Sequence, residues 1–174
     1  MWKTLALIAA VGVLAVLAYA ATRPDTFRVA RSATVQAPPE KLHALINDLR
    51  AFNTWNPFGK GDTRNRGEYR GPQDGPGATY VFGGGSAGDG TLRILDSAPT
   101  AVRMELHMVK PMEARNEVQF LLQPRGNATD VTWQMKGGQP FLGKLMGVFM
   151  DMDRMVGGQF ESGLADLKQR AERT

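Results

Sequence analysis

The sequence predicts an α+β domain of about seven antiparallel strands and one long C-terminal helix, in the order β-α-α-β6-α, behind one N-terminal transmembrane helix. Three observations predict it. An uncharged apolar run, Thr4 to Ala21, is 18 residues long, close to the roughly 20 needed to cross a hydrocarbon core. From Glu68 to Lys136 apolar residues recur with period two, and Gly/Pro/Asn/Asp clusters separate the runs at hairpin spacing. From about Phe141 to Ala171 they recur at steps of three and four, as on an amphipathic helix. Hairpins followed by a helix form an α+β pattern in which the helix covers one sheet face.

Residues 1–24 are read as the anchor and 25–174 as the folded domain. Ala18-Tyr19-Ala20 has the small-x-small spacing of a cleavage site, so a cleaved signal is the alternative to a retained anchor. Lys3 on one flank and Arg23, Arg28 and Arg31 on the other leave the positive-inside count balanced. The short head before Lys3 favours a domain on the non-cytoplasmic side of a single-pass anchor.

The elements follow in order. In "TFRVARSATVQ" Phe27, Val29, Ala33 and Val35 share one face, which Arg31 interrupts; this is the first strand. Pro38 and Pro39 suit a first helical turn, and Leu42, Leu45, Ile46 and Leu49 continue an amphipathic helix. Asn53 to Phe58, with Trp55, reads as a second short helical turn and a loop. The remaining strands are Glu68–Arg70, Ala78–Phe82, Gly90–Asp96, Ala101–Val109, Ala114–Gln123 and Thr129–Lys136. The last helix carries the stripe Leu142, Leu145, Phe149, Met152, Val156, Phe160, Leu164 and Leu167, with Met146, Met150 and Met155 beside it. Gly157, Gly158 and Gly163 should each weaken that helix by about 1 kcal/mol relative to alanine. They are expected where it bends or lies closest to the sheet.

Strand parity makes the inner sheet face almost wholly apolar. Tyr80, Phe82, Met104, Leu106, Met108, Phe120, Trp133 and Met135 fall on it, whereas Arg103, Glu105 and His107 fall on the other. Opposite stand Phe149, Met152, Met155, Val156 and Phe160 of the helix, with Trp55 at one end. These residues pack either as a plain core or around a ligand cavity. Methionine, unbranched and polarizable, suits variable contents. The polar handles on this face are the Tyr80 hydroxyl and the indole N–H groups of Trp133 and Trp55.

The composition excludes several chemistries. The chain has no cysteine, which removes disulfides, thiolate zinc sites and cysteine nucleophiles. His43 and His107 are its two histidines and have no evident partner for a metal site. Asp151 and Asp153 diverge on a helix, which separates them as a carboxylate pair. "GGGSAG" matches a dinucleotide fingerprint formally but precedes a strand, so it reads as a hairpin turn. The net charge is +4, and Lys60, Arg64, Arg66 and Arg70 cluster as a solvated loop or a patch for an anionic membrane. No helix-turn-helix, zinc finger or aromatic RNA-binding motif points to nucleic acid, and no cofactor is expected.

The blocks "FRVARSATVQAPPEKLHALINDLRAFNTWNPF", "GPGATYVFGG", "DGTLRILDSAPT", "VTWQM" and "QPFLGKLMGVFMDMDRMVGGQFESGLADLKQ" together resemble the START-like or helix-grip superfamily. Within it they resemble the bacterial SRPBCC, polyketide cyclase–dehydrase-like group, over about residues 25 to 172. The resemblance implies a curved seven-stranded antiparallel sheet gripping a long C-terminal helix, two short helices after the first strand, and a hydrophobic cavity between sheet and helix. It implies binding of a lipid or other hydrophobic small molecule. The alternatives are a cyclase- or dehydratase-like enzyme, with Tyr80 as acid and Asp153 or Glu105 as base, and an envelope interaction module without ligand. No catalytic set of the group maps onto these residues.

Overall fold

The computed structural model describes residues 2–58, 64 and 66–173; the side chain of Met152 and Lys60 of the basic cluster lie outside that description. Helix α1, Trp2–Ala21, has 20 residues and is long and apolar enough to cross a membrane, with a mean hydropathy of 2.4. It leads into strand β1, Thr26–Val35, and the short helices α2, Pro39–Asn47, and α3, Leu49–Phe52. Strands β2 (Arg66–Arg70), β3 (Thr79–Gly85), β4 (Gly88–Ala98), β5 (Ala101–Lys110), β6 (Ala114–Arg125) and β7 (Ala128–Gly138) follow. Helices α4, Phe141–Phe149, and α5, Met152–Ala171, close the chain.

The strands form one antiparallel sheet in the order β1-β7-β6-β5-β4-β3-β2. Every predicted strand is present, most of them longer than expected by one to three residues at an end. The glycine-rich stretch is the β3–β4 hairpin, closed where Gly85 pairs with Gly88. The first strand therefore pairs with the last, and β1 and β2 are the edges.

Two helical expectations are corrected. The first helix ends at Asn47, and the second short helix begins at Leu49 rather than Asn53. Asp48 is its N-cap, accepting from the backbone N–H of Arg50 at 2.7 Å and of Ala51 at 3.3 Å. The expected single C-terminal helix breaks at Met150–Asp151. Both residues are extended, and the Asp151 side chain accepts from the Arg154 N–H at 3.0 Å, starting α5 afresh. Asp151 followed by Asp153 is an N-terminal signal that the continuous apolar stripe masks.

The core is an aromatic stack between the sheet and the middle of α5. Trp133 lies parallel to Phe160 with ring centroids 4.2 Å apart, and Phe52, Trp55 and Phe120 meet Trp133 within 6.1 Å. Trp55 is fully buried and its indole N–H donates to the Leu45 carbonyl at 2.9 Å. Thr129, also fully buried, donates to the Ala37 carbonyl and pins the β1–α2 turn to β7.

Two of the three α5 glycines, Gly157 and Gly163, sit where the helix meets the sheet, and α5 runs unbroken through all three. A Cβ at Gly163 would stand 2.7 Å from the Trp133 ring and 2.9 Å from Pro57, whereas one at Gly158 would meet nothing within 4 Å. Gly158→Ala is therefore expected to stabilise the fold by about 1 kcal/mol through helix propensity alone. Gly163→Ala should destabilise it by about 1–3 kcal/mol, because the indole has nowhere to go. Urea denaturation of the two variants checks the opposite signs.

Candidate functional site

Register sorts the inner face into rows that run across the sheet. Val29, Met135, Val118, Met104 and Ile94 form one row and are all buried. The next row toward the start of β1 holds Phe27, Gly137, Asn116, Leu106, Leu92, Tyr80 and Tyr69. Beyond it lie Met108, Gly90, Phe82 and Gly67. Phe27, Tyr69, Tyr80, Phe82, Leu106 and Met108 are only half-buried. The groove is thus sealed at the end where α2, α3 and the aromatic stack sit, and open at the end where β1 begins.

Glycines keep the floor of the open end low. A Cβ at Gly67 would fall 2.4 Å from Tyr80, and one at Gly90 would fall 2.9 Å from Phe82, so both rings lie flat over bare backbone. Tyr69, Tyr80 and Phe82 follow one another with centroids 4.8 and 6.0 Å apart. Arg50 covers the Tyr69 ring at 4.2 Å and Asn53 donates to its hydroxyl at 3.0 Å, which fixes the end of this ladder.

Parity places Asn116 in the same row as Leu106, a polar residue on the inner face whose only sequence signal is the alternation of β6. It is 8% exposed, and its Oδ1 has no hydrogen-bond partner among the described residues. It lies across Gly137, where a Cβ would collide with it. The buried Trp133 indole N–H is likewise without a partner there. Of the three polar handles expected, that of Trp55 is already spent inside the core.

The residues expected to line one cavity divide into three sets. Trp55, Met104, Phe120, Trp133 and Phe160 are sealed core, and Met135 stands at its boundary, 9% exposed. Tyr80, Phe82, Leu106, Met108 and Val156 border the open end. Phe149 and Met155 do not face the sheet: they are 74% and 52% exposed, because the break at Asp151 resets the helical phase and turns α4 away. Met152 belongs to α5, with its side chain outside the described residues. A cleft of about 580 Å³, lined by Arg23, Phe27, Gln139, Phe149 and Met150 among others, lies where β1 begins beneath α4.

Arg31 holds α5 over this groove. It is on the inner face opposite Trp133, and its guanidinium meets Asp153 at 2.9 Å and Glu161 at 2.7 Å. Asp153, Gly157 and Glu161 are spaced by four residues, and a Cβ at Gly157 would lie 2.1 Å from Arg31. The missing side chain is the seat of the guanidinium. The interruption of the β1 face by Arg31, with Asp-x3-Gly-x3-Glu on the helix, was the legible signal. Hydrogen bonding to Arg31 holds the Asp153 carboxyl below its ordinary range, and Asp153 foremost, then Glu161, raises the guanidinium.

The pair Tyr80 and Glu105 cannot converge, since Glu105 alternates to the outer face and reaches toward Arg115 at 3.8 Å. Asp153 is engaged by Arg31. His43 meets Ser97 at 2.9 Å, and His107 meets Glu113 at 3.3 Å. Among the described residues no three His, Cys, Asp or Glu side chains gather as a metal site.

A carboxyl whose value is depressed in the fold stabilises above its ordinary value and loses that contribution as pH falls through the folded value. Asp153→Asn is therefore expected to lower the melting temperature at neutral pH. The gap to wild type should begin to close as pH drops below the ordinary aspartate value of about 4, and should vanish once pH has fallen through the depressed value of folded Asp153. Thermal denaturation across pH 2 to 7 measures it.

With this geometry, known folds are comparable over most of the chain. A structure from Chromobacterium violaceum aligns with a TM-score of 0.61 at 16% identity, covering 87% of this chain and 100% of that one. The Aha1 dimer from Colwellia psychrerythraea aligns at 0.59 and 16% identity, over 84% and 96%. A norcoclaurine synthase point mutant from Thalictrum flavum, in complex with a transition-state analogue, aligns at 0.64 and 8% identity, over 84% and 94%. At such identities these likenesses show the shared helix-grip fold alone. No match is found among curated proteins. The profile of the polyketide cyclase / dehydrase and lipid transport family matches residues 26–172, nearly the whole folded part, and the chain belongs to that family.

Proposed function

We propose that this protein is a membrane-anchored module that holds a hydrophobic small molecule or lipid in the open end of the groove. Residues 1–24 serve as the anchor and 25–174 as the binding domain. The observation that carries the reading is the change from a buried row to one in which Phe27, Leu106, Tyr80 and Tyr69 are half-buried, on one continuous sheet face. A groove of this kind removes apolar ligand surface from water, at about 25 cal/mol per Å². Asn116 offers a single buried carboxamide on that floor, suited to orienting one polar group of an otherwise apolar molecule. The family's lipid-transport members and the ligand held by the norcoclaurine synthase structure accord with this reading. A cyclase- or dehydratase-like reaction would require a base near Tyr80, and Glu105 and Asp153 are engaged elsewhere.

Delipidated protein is expected to bind a fluorescent fatty acid saturably. Leu106→Trp, which fills the open floor, should weaken binding at least about tenfold, or about 1.4 kcal/mol. Leu95→Trp, on the outer face and 40% exposed, should leave it unchanged. Non-saturable binding, or equal affinity in both variants, would remove the groove as the site.

A further inference from the structure

Helix α4 is the part of the molecule that neither the core nor the groove explains. Phe141, Leu142, Met146 and Phe149 are 49%, 54%, 41% and 74% exposed, and Met150 and Met155 extend the same apolar surface across the helix break at 40% and 52%. No acidic residue lies between Phe141 and Met150. The one charged side chain there, Lys144, turns inward, is 7% exposed and bonds to Asp25. Such a patch on a folded domain calls for a cover.

Its attachment indicates which. α4 packs against α1, where Val16, Leu17 and Ala20 are the positions of that helix that lose exposure. Arg23 donates to the Gly147 carbonyl and Lys144 to Asp25, so both links join α4 to the foot of α1. From Val16 to Ala21 the helix rises about 7.5 Å. Amphipathic helices lying in a bilayer interface bury their apolar faces by about 5–10 Å. α4 thus stands at the level that the last turns of a membrane-spanning α1 would occupy in the outer hydrocarbon and headgroup region.

We infer that α4 lies in the interfacial layer of the lipid bilayer, its exposed apolar residues among the acyl chains beside the end of α1. The inference rests on the reading of α1 as a membrane span. Its consequence for the groove follows from the register: β1 starts at Thr26, directly after α1, and the open end of the groove is the end where β1 starts. The groove therefore opens toward the membrane surface, with the cleft between β1 and α4 beside it. An apolar molecule can pass between lipid and groove without crossing bulk water.

The absence of cysteine makes the test direct. Single-cysteine variants Phe149→Cys, Leu142→Cys, Val13→Cys and Gln123→Cys of the full chain are labelled with an environment-sensitive fluorophore. They are reconstituted in phosphatidylcholine vesicles carrying a quencher either near the headgroup or at mid-chain. Labels at Phe149 and Leu142 should be quenched most by the shallow quencher, Val13 most by the deep one, and Gln123, on the exposed sheet face, by neither. Quenching at Val13 without quenching at Phe149 and Leu142 would overturn the inference and leave the anchor intact. Quenching at none of the four would overturn both. Protection at Phe149 that appears only at high protein density would assign the face to a second copy of the chain instead of lipid.

Discussion

Everything in this domain depends on how closely helix α5 can lie on the sheet. Two missing side chains set that distance. At Gly163 the helix backbone comes against the Trp133 ring and Pro57, which lets Phe160 stack on the indole at 4.2 Å. At Gly157 the gap is filled by the Arg31 guanidinium, bracketed by Asp153 and Glu161. An ion pair with partners this exposed contributes little as electrostatics alone. Its value is geometric, because it fixes the helix axis along β1 while apolar stacking supplies the bulk of the contact energy.

The same approach determines where the groove has room. The aromatic side chains gathered under the middle of α5 pack against one another from Trp55 through Phe120 and Trp133 to Phe160. α5 follows β1 and so covers one edge of the sheet, while the inner face of β3 to β5 keeps its outermost rows half-buried. The rings of Tyr80 and Phe82 lie on Gly67 and Gly90 instead of standing up to fill that space. A sheet meant only as core would gain stability by raising larger side chains there. The arrangement gathers the tightly packed side chains at one end of the face and the half-buried ones at the other.

Most of the architecture was legible because period-two alternation and turn residues are local signals. The strands, the β3–β4 hairpin and the apolar inner face could each be read from a few neighbouring residues. The site was legible only in part. The apolar stripe ran unbroken through Phe149 and Met152, so it concealed the cap at Asp151, and with it the separation of α4 from the groove. Side-chain parity put Arg31 and Asn116 on the inner face, yet their meaning depended on Gly157 and Gly137, more than 20 residues away in both cases and visible only once β1 meets α5 and β6 pairs with β7. Long-range juxtaposition, not residue type, was the missing information.

The sheet order has a consequence for how the chain acquires its structure. Strands β2 to β7 pair with sequence neighbours and can zip together hairpin by hairpin. β1 pairs only with β7, so Thr26 must find Gly138 across almost the entire domain. Contacts of such long range impose a large loop-closure entropy and form late. The strand made first is therefore completed last, waiting as an unpaired edge until synthesis has delivered β7. Truncation anywhere before β7 would leave β1, Arg31 included, with no sheet to join.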